Sequence, residues 1–236
     1  MCIVKRIFVF IMILLGGNQA VKAHAIWLES SSQGTKGKAH TVKVFYGEYA
    51  TGELEDTKSW YSDLKSLTLQ LVDPNEKIST LPLVDKGQYL EASFVPDAEG
   101  AYQLFTRHAA KDLGGETRYE FIAQAIVQVG KSSKKGALPL GFQLDILPEI
   151  FRLKDKVSIS LRKDGQPAVH QDILVMSESG WSKTYKTDEQ GHASIDALWA
   201  GRYVVEFSNM DVQGGDWHGK AYKRNWQGLT ISFLVQ

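Results

Sequence analysis

From about residue 24 onward, apolar positions alternate with polar ones in short runs broken by turn residues, and no segment sustains a 3.6-residue apolar period. Alternation at period two puts successive side chains on opposite faces of a strand, so the pattern predicts an all-β sandwich or barrel. Strands are predicted near 24–30, 40–46, 66–72, 88–95, 101–108 and 118–129. A second set is predicted near 142–147, 156–162, 170–177, 182–187, 192–196, 202–208 and 228–235. Between the sets, Lys131-Ser-Ser-Lys-Lys-Gly-Ala-Leu-Pro-Leu-Gly141 combines charge, small residues and a proline, which suits a surface connection. The expected organisation is two tandem antiparallel β-sandwich domains, 24–130 and 142–236, joined by a linker over 131–141.

The halves echo one another. Asp85-Lys-Gly-Gln-Tyr-Leu-Glu-Ala-Ser-Phe followed by Gly100-Ala-Tyr102 has a counterpart in Asp188-Glu-Gln-Gly-His-Ala-Ser-Ile followed by Gly201-Arg-Tyr203. In each, a turn with Asp and Gly leads into a strand, and Gly-x-Tyr opens the next. Such a tyrosine puts its ring in the core and bonds nearby backbone through its hydroxyl, as in the tyrosine corner of Greek-key sandwiches. Tyr102 and Tyr203 are therefore read as structural. The stretches 47–63 and 209–219 lack apolar alternation and are expected to be irregular; long loops of this kind often carry function.

Ahead of the first strand, Lys5 and Arg6 precede an apolar run, Ile7-Phe-Val-Phe-Ile-Met-Ile-Leu-Leu15, and Val21-Lys-Ala23 suits signal peptidase. A signal peptide over 1–23 is expected, with periplasmic localisation and no stable membrane anchor, since the run is too short to span a bilayer. The sole cysteine, Cys2, falls within the leader, so any metal site in the mature chain draws on nitrogen and oxygen donors. The whole chain has 27 basic and 27 acidic residues; without Lys5, Arg6 and Lys22 the mature chain keeps 24 basic against 27 acidic, a net charge of −3. A mildly acidic chain with no basic stripe argues against nucleic acid.

If cleavage follows Ala23, His24 begins the mature chain with a free α-amino group and an imidazole, which together chelate a transition metal. A cut after Ala25 removes it. A second imidazole then completes a nitrogen-rich site of the kind Cu(II) favours and Ni(II) accepts. His108, at a strand end before a long loop, is the first choice for that partner; His218, between Trp217 and Gly219, is the other and requires the halves to meet. His40 shares the phase of Val42, Val44 and Tyr46 and reads as a satisfied core histidine, His170 as a strand start, His192 as solvated. Glu29, Glu48 and Asp216 offer oxygens or acceptors that orient imidazoles, or are ordinary surface carboxylates. No Gly-x-Ser-x-Gly, His-Glu-x-x-His, phosphate loop or cysteine nucleophile appears, so no enzyme is expected.

The leader ending at His24-Ala-Ile-Trp-Leu-Glu29, the Val44-Phe-Tyr-Gly-Glu48 strand end, the Tyr119–Gly130 strand and the Pro148 region together resemble a periplasmic domain-of-unknown-function family described as the periplasmic component of nickel/cobalt uptake systems. The second half, with Gly165-Gln-Pro-Ala, Thr187-Asp-Glu-Gln-Gly191 and Gly201-Arg-Tyr203, resembles Ig-like and transthyretin-like sandwiches, including carboxypeptidase-regulatory-like domains. The resemblance implies an exported two-sandwich protein that handles a divalent metal (Ni, Co or Cu) beside a membrane transporter or receptor component. Two other classes stay open: an adhesion or scaffold module contacting a protein or glycan, and a histidine-brace copper oxidase.

Overall fold

The computed structural model describes residues 24–147, 149 and 151–236; the leader, Pro148 and Ile150 lie outside the described residues. The first half contains β1 (Ala25–Ser30), β2 (Gln33–Gly34), β3 (His40–Glu48), β4 (Glu53–Leu54), β5 (Leu69–Val72), β6 (Ile78–Leu81), β7 (Val84–Asp85), β8 (Leu90–Phe94), β9 (Gly100–Ala109) and β10 (Thr117–Val129). The second contains β11 (Phe142–Ile146), β12 (Lys156–Lys163), β13 (Gln166–Pro167), β14 (Asp172–Ser177), β15 (Ser182–Lys186), β16 (His192–Asp196), β17 (Gly201–Asp211), β18 (Gly215–Trp217), β19 (Lys220–Tyr222) and β20 (Arg224–Val235). The fold is all-β and sandwich-like, built of several antiparallel sheets as the alternation predicts. Among the described residues no helix is long and apolar enough to cross a membrane.

Among the described residues, one nine-stranded sheet runs through both halves in the order β15-β14-β17-β20-β10-β9-β5-β6, with β2 added at β10. Its seam is the pairing of β10 with β20, which is parallel and in register from Thr117–Arg224 to Gln124–Ile231. A smaller sheet, β1-β3-β8-β7 with β4 on β3, covers the first-half strands; a third, β11-β12-β13 with β16 on β12, covers the second-half strands. Ile26, Leu28, Val42 and Val44 meet Leu104, Ala123, Ala125 and Val127 in one core. Leu144, Ile159 and Leu161 meet Val175, Val205 and Ile231 in the other, which also takes in Phe105, Ile122 and Ile126 from the first half. Strand β10 thus has a core on each face, which is why Phe121–Val129 reads as a nearly unbroken apolar run.

The free edge of β1 is closed by side chains. Thr230 donates its hydroxyl to the carbonyl of Ile26 at 2.6 Å, and Ser232 donates to that of Leu28. Exposed strand edges present unpaired backbone groups; here β20 satisfies two of them while Trp27 and Phe45 pack on Met176 and Val204 from the far side. The connection over 131–141 is bonded at both sides, since Ala101 N–H donates to Lys134 O at 2.8 Å and Lys135 pairs with Asp145.

The paired tyrosines do what their setting predicts. Tyr102, 2% exposed, receives hydrogen bonds from the N–H groups of Asp97 and Ala98. Tyr203, fully buried, receives one from Trp199 N–H at 3.0 Å. The stretch 209–219 differs from expectation: β17 continues to Asp211, and β18 and β19 form a ribbon whose Trp217 donates to Ala110 O at 2.8 Å. Its polar sequence hid the strands because neither ribbon strand buries a full apolar face. The other expected loop, 47–63, holds 3-10 turns at Tyr49–Thr51 and Thr57–Ser59 around β4, and its Trp60 is a core residue at 5% exposure.

Candidate metal centre

The site forms where β1, β3 and β4 begin or reverse. Ala25 pairs with Gly47, so His24, one step beyond, falls level with Glu48; on the other side of β3, Glu48 pairs with Glu53. Residues two apart on an extended chain share a face, so Glu53 and Glu55 point together while Leu54 points away. Two glycines permit the reversal. Gly52 takes a left-handed φ of 71° to cap the Tyr49–Thr51 turn, and a Cβ at Gly47 would collide with the carbonyl oxygen of Glu53.

The result is a compact donor set. A ring nitrogen of His24 and carboxylate oxygens of Glu53 and Glu55 all lie within 4.8 Å of one another, the one such His/Cys/Asp/Glu group of three found among the described residues. His24 Nε2 already contacts Glu55 Oε1 at 3.1 Å, and the imidazole rests on Tyr46 with ring centroids 5.3 Å apart. The His24 side chain is 20% exposed, half-sunk but open to an entering ion. Burial, with help from Glu55 and Tyr61, pushes the Tyr46 hydroxyl up, so it stays protonated beside the site. One imidazole and two carboxylates make a borderline donor set suited to Ni(II), Co(II) or Zn(II), richer in oxygen than the nitrogen set expected from sequence.

A further carboxyl faces the same corner. Glu206 on β17 pairs across to Thr230, whose hydroxyl holds the start of β1. Burial, reinforced by the charge of Glu48, raises the Glu206 carboxyl to about 7.

The other predicted residues sit elsewhere. His108 Nε2 contacts Asp63 Oδ1 at 3.0 Å; burial pushes the Asp63 carboxyl up, but the bond with His108 and the N–H of Lys111 hold it below its usual range. His218 occupies the exposed turn between β18 and β19 with a left-handed φ of 52°, against Trp217. The ribbon does bring the second half to the first, yet His24, His108 and His218 are not gathered as a trio. Of the candidate oxygens, Glu29 accepts from Trp27 Nε1 at 3.1 Å, and Asp216 accepts from Gly219 N–H. His40 is buried against Phe94 with Nε2 2.7 Å from Ser30 Oγ, as its phase predicts. His170 pairs with Glu189 on the surface, and His192 is exposed at the start of β16.

A family model described as "Domain of unknown function (DUF4198)" matches residues 21–211, most of the chain and all of the donor set. The chain belongs to the DUF4198 family. No curated protein matches it. Two solved structures are similar to this DUF4198 protein. One is a Ca2+-stabilized adhesin that helps an Antarctic bacterium reach out and bind ice, at 12% identity and TM-score 0.26, covering 90% of this chain and 49% of that one. The other is a two-domain fibronectin type-III segment from chicken tenascin, at 10% identity and TM-score 0.24, covering 88% of this chain and 97% of that one. The chain thus spans about half the length of the adhesin.

Proposed function

We propose that this DUF4198 protein is an exported, non-enzymatic metal-binding accessory of a divalent transition-metal uptake or homeostasis system, with nickel or cobalt favoured over copper. The observation that carries the reading is the convergence of His24, Glu53 and Glu55 within 4.8 Å. Three donors at the ends of two short strands form a partial coordination shell that leaves positions open, which suits an ion that must be handed on as well as bound. The leader pattern supports export, and cleavage after Ala23 frees the α-amino nitrogen of His24, which can close a chelate ring with Nδ1 of the same imidazole. The partner in this reading is a membrane transporter or receptor component on the outer side of the bilayer.

Calorimetric titration of Ni(II) and Co(II) at neutral pH tests the site. One ion per chain is expected, with Glu53→Gln and Glu55→Gln each weakening binding by at least the ~10–100-fold that loss of even an orienting neighbour costs. Full affinity in both variants would contradict it.

A further inference from the structure

We infer, resting on the metal reading above, that Trp60 and Tyr46 are the positioning residues of the metal centre: Trp60 acts on Glu55, Tyr46 acts on both Glu55 and His24, and the fold itself gathers the donors. Strand β4 is two residues long and stops at Leu54, so Glu55 lies just past the ladder that aligns Glu53 with Glu48. Two bonds hold it there. Its N–H donates to the carbonyl of Tyr46 at 3.0 Å, and its own carbonyl accepts from Trp60 Nε1–H, also at 3.0 Å. With both backbone groups of Glu55 engaged, its side chain leaves from a fixed peptide and meets His24 at 3.1 Å.

His24 needs support of a different kind, because it precedes β1 and takes no part in that strand's ladder. Tyr46 supplies it. The tyrosine ring lies against the imidazole at 5.3 Å and is itself wedged by Trp60 at 5.9 Å and, edge-on, by Phe121 at 6.0 Å. Tyr46 and Trp60 are 7% and 5% exposed, and side chains in so closely packed an interior have little room to swing. One residue thus serves two ligands, through its ring for His24 and through its carbonyl for Glu55.

Filling the core calls for no indole nitrogen, since a phenylalanine would also pack against Tyr46. A buried indole N–H needs a partner, and here that partner is the peptide of a ligand residue five positions back. The segment between them is anchored as well. Thr57, 3% exposed, donates its N–H to Gly87 O at 2.7 Å and its hydroxyl to Asp85 Oδ1 at 2.8 Å, which binds the stretch to the turn between β7 and β8. Donors held by such supports take up an ion at little ordering cost. They also release it without local unfolding, as a protein that hands its ion on requires.

Trp60→Phe keeps a ring against Tyr46 and removes the donor. In the whole protein at neutral pH it should bind Ni(II) ~10-fold more weakly by calorimetry, the lower end of what loss of a supporting partner costs. It should also shift the visible absorption bands of bound Co(II), which report donor geometry. Tyr203→Phe, which removes a buried hydroxyl from the other core, should change neither reading, so loss of positioning is separated from general loss of stability. Thr57→Val leaves every ring in place and decides alone if Trp60→Phe does not fold: weaker Ni(II) binding supports the assignment, and wild-type binding overturns it. Wild-type affinity with an unshifted Co(II) spectrum in Trp60→Phe, beside weakened binding in Glu55→Gln, overturns the positioning role while the metal reading stands. Equal weakening in Tyr203→Phe overturns it too, and full affinity in Glu55→Gln removes both readings.

Discussion

Glu206 is the group through which the fold should feel pH most strongly. Its carboxyl is raised from 4.5 to about 7 by burial and by Glu48, so between those values the native state binds a proton that the unfolded chain releases. Stability from this group is therefore complete below pH 4.5 and is lost as pH rises through 7, where a buried carboxylate must be left charged. At about 1.4 kcal/mol for each factor of ten in proton affinity, the difference approaches roughly 3 kcal/mol. Glu206→Gln keeps the shape and removes the charge. Relative to wild type, the variant should be nearly neutral at pH 5 and more stable at pH 8 by up to that amount. For a chain of this size that is about 6–12 °C in melting temperature, read by thermal unfolding in chelating buffer. Titrating groups far from Glu206 cancel in the comparison. An identical difference between the two proteins at pH 5 and pH 8 would refute the reasoning.

Three further outcomes follow from the same geometry. Thr230→Val leaves the Ile26 carbonyl without its donor in a buried setting and should cost about 1–3 kcal/mol in urea unfolding; a cost below ~0.5 kcal/mol would mean that β1's edge is served otherwise. Proteolytic nicking within 131–141 should yield fragments that co-elute on gel filtration under native conditions, because β10 and β20 stay paired across the seam; separate elution would count against the shared sheet. In a chain cleaved after Ala23, adding one residue ahead of His24 should weaken Ni(II) binding without abolishing it, because the α-amino group moves away from Nδ1 while the imidazole and both carboxylates remain. Equal affinity of the extended and authentic chains would exclude the amino terminus as a ligand.

Much of the fold is legible in the sequence because the small outer sheets obey period two: Val42, Val44 and Tyr46, or Val157, Ile159 and Leu161, mark their buried faces directly. The seam is not legible. Alternation says which face a strand buries but not which strand lies beside it, and β10, buried on both faces, loses the alternation altogether. His24 could be singled out from its position after the expected leader. Its carboxylate partners were concealed in a stretch read only as irregular, although Glu53-Leu-Glu55 after a Thr-Gly reversal was the available signal: two acids two apart, returning alongside Glu48. His108 and His218 drew attention as histidines near loops, and nothing in a single sequence revealed that Asp63 would engage the first and a surface turn would carry the second.

The metal centre is tested most directly by where an ion goes. Crystals grown with Ni(II), and measured on either side of the nickel absorption edge, should show their strongest anomalous peak among His24, Glu53 and Glu55. A strongest peak at His108 and Asp63, at the His218 turn, or nowhere on the protein would contradict it.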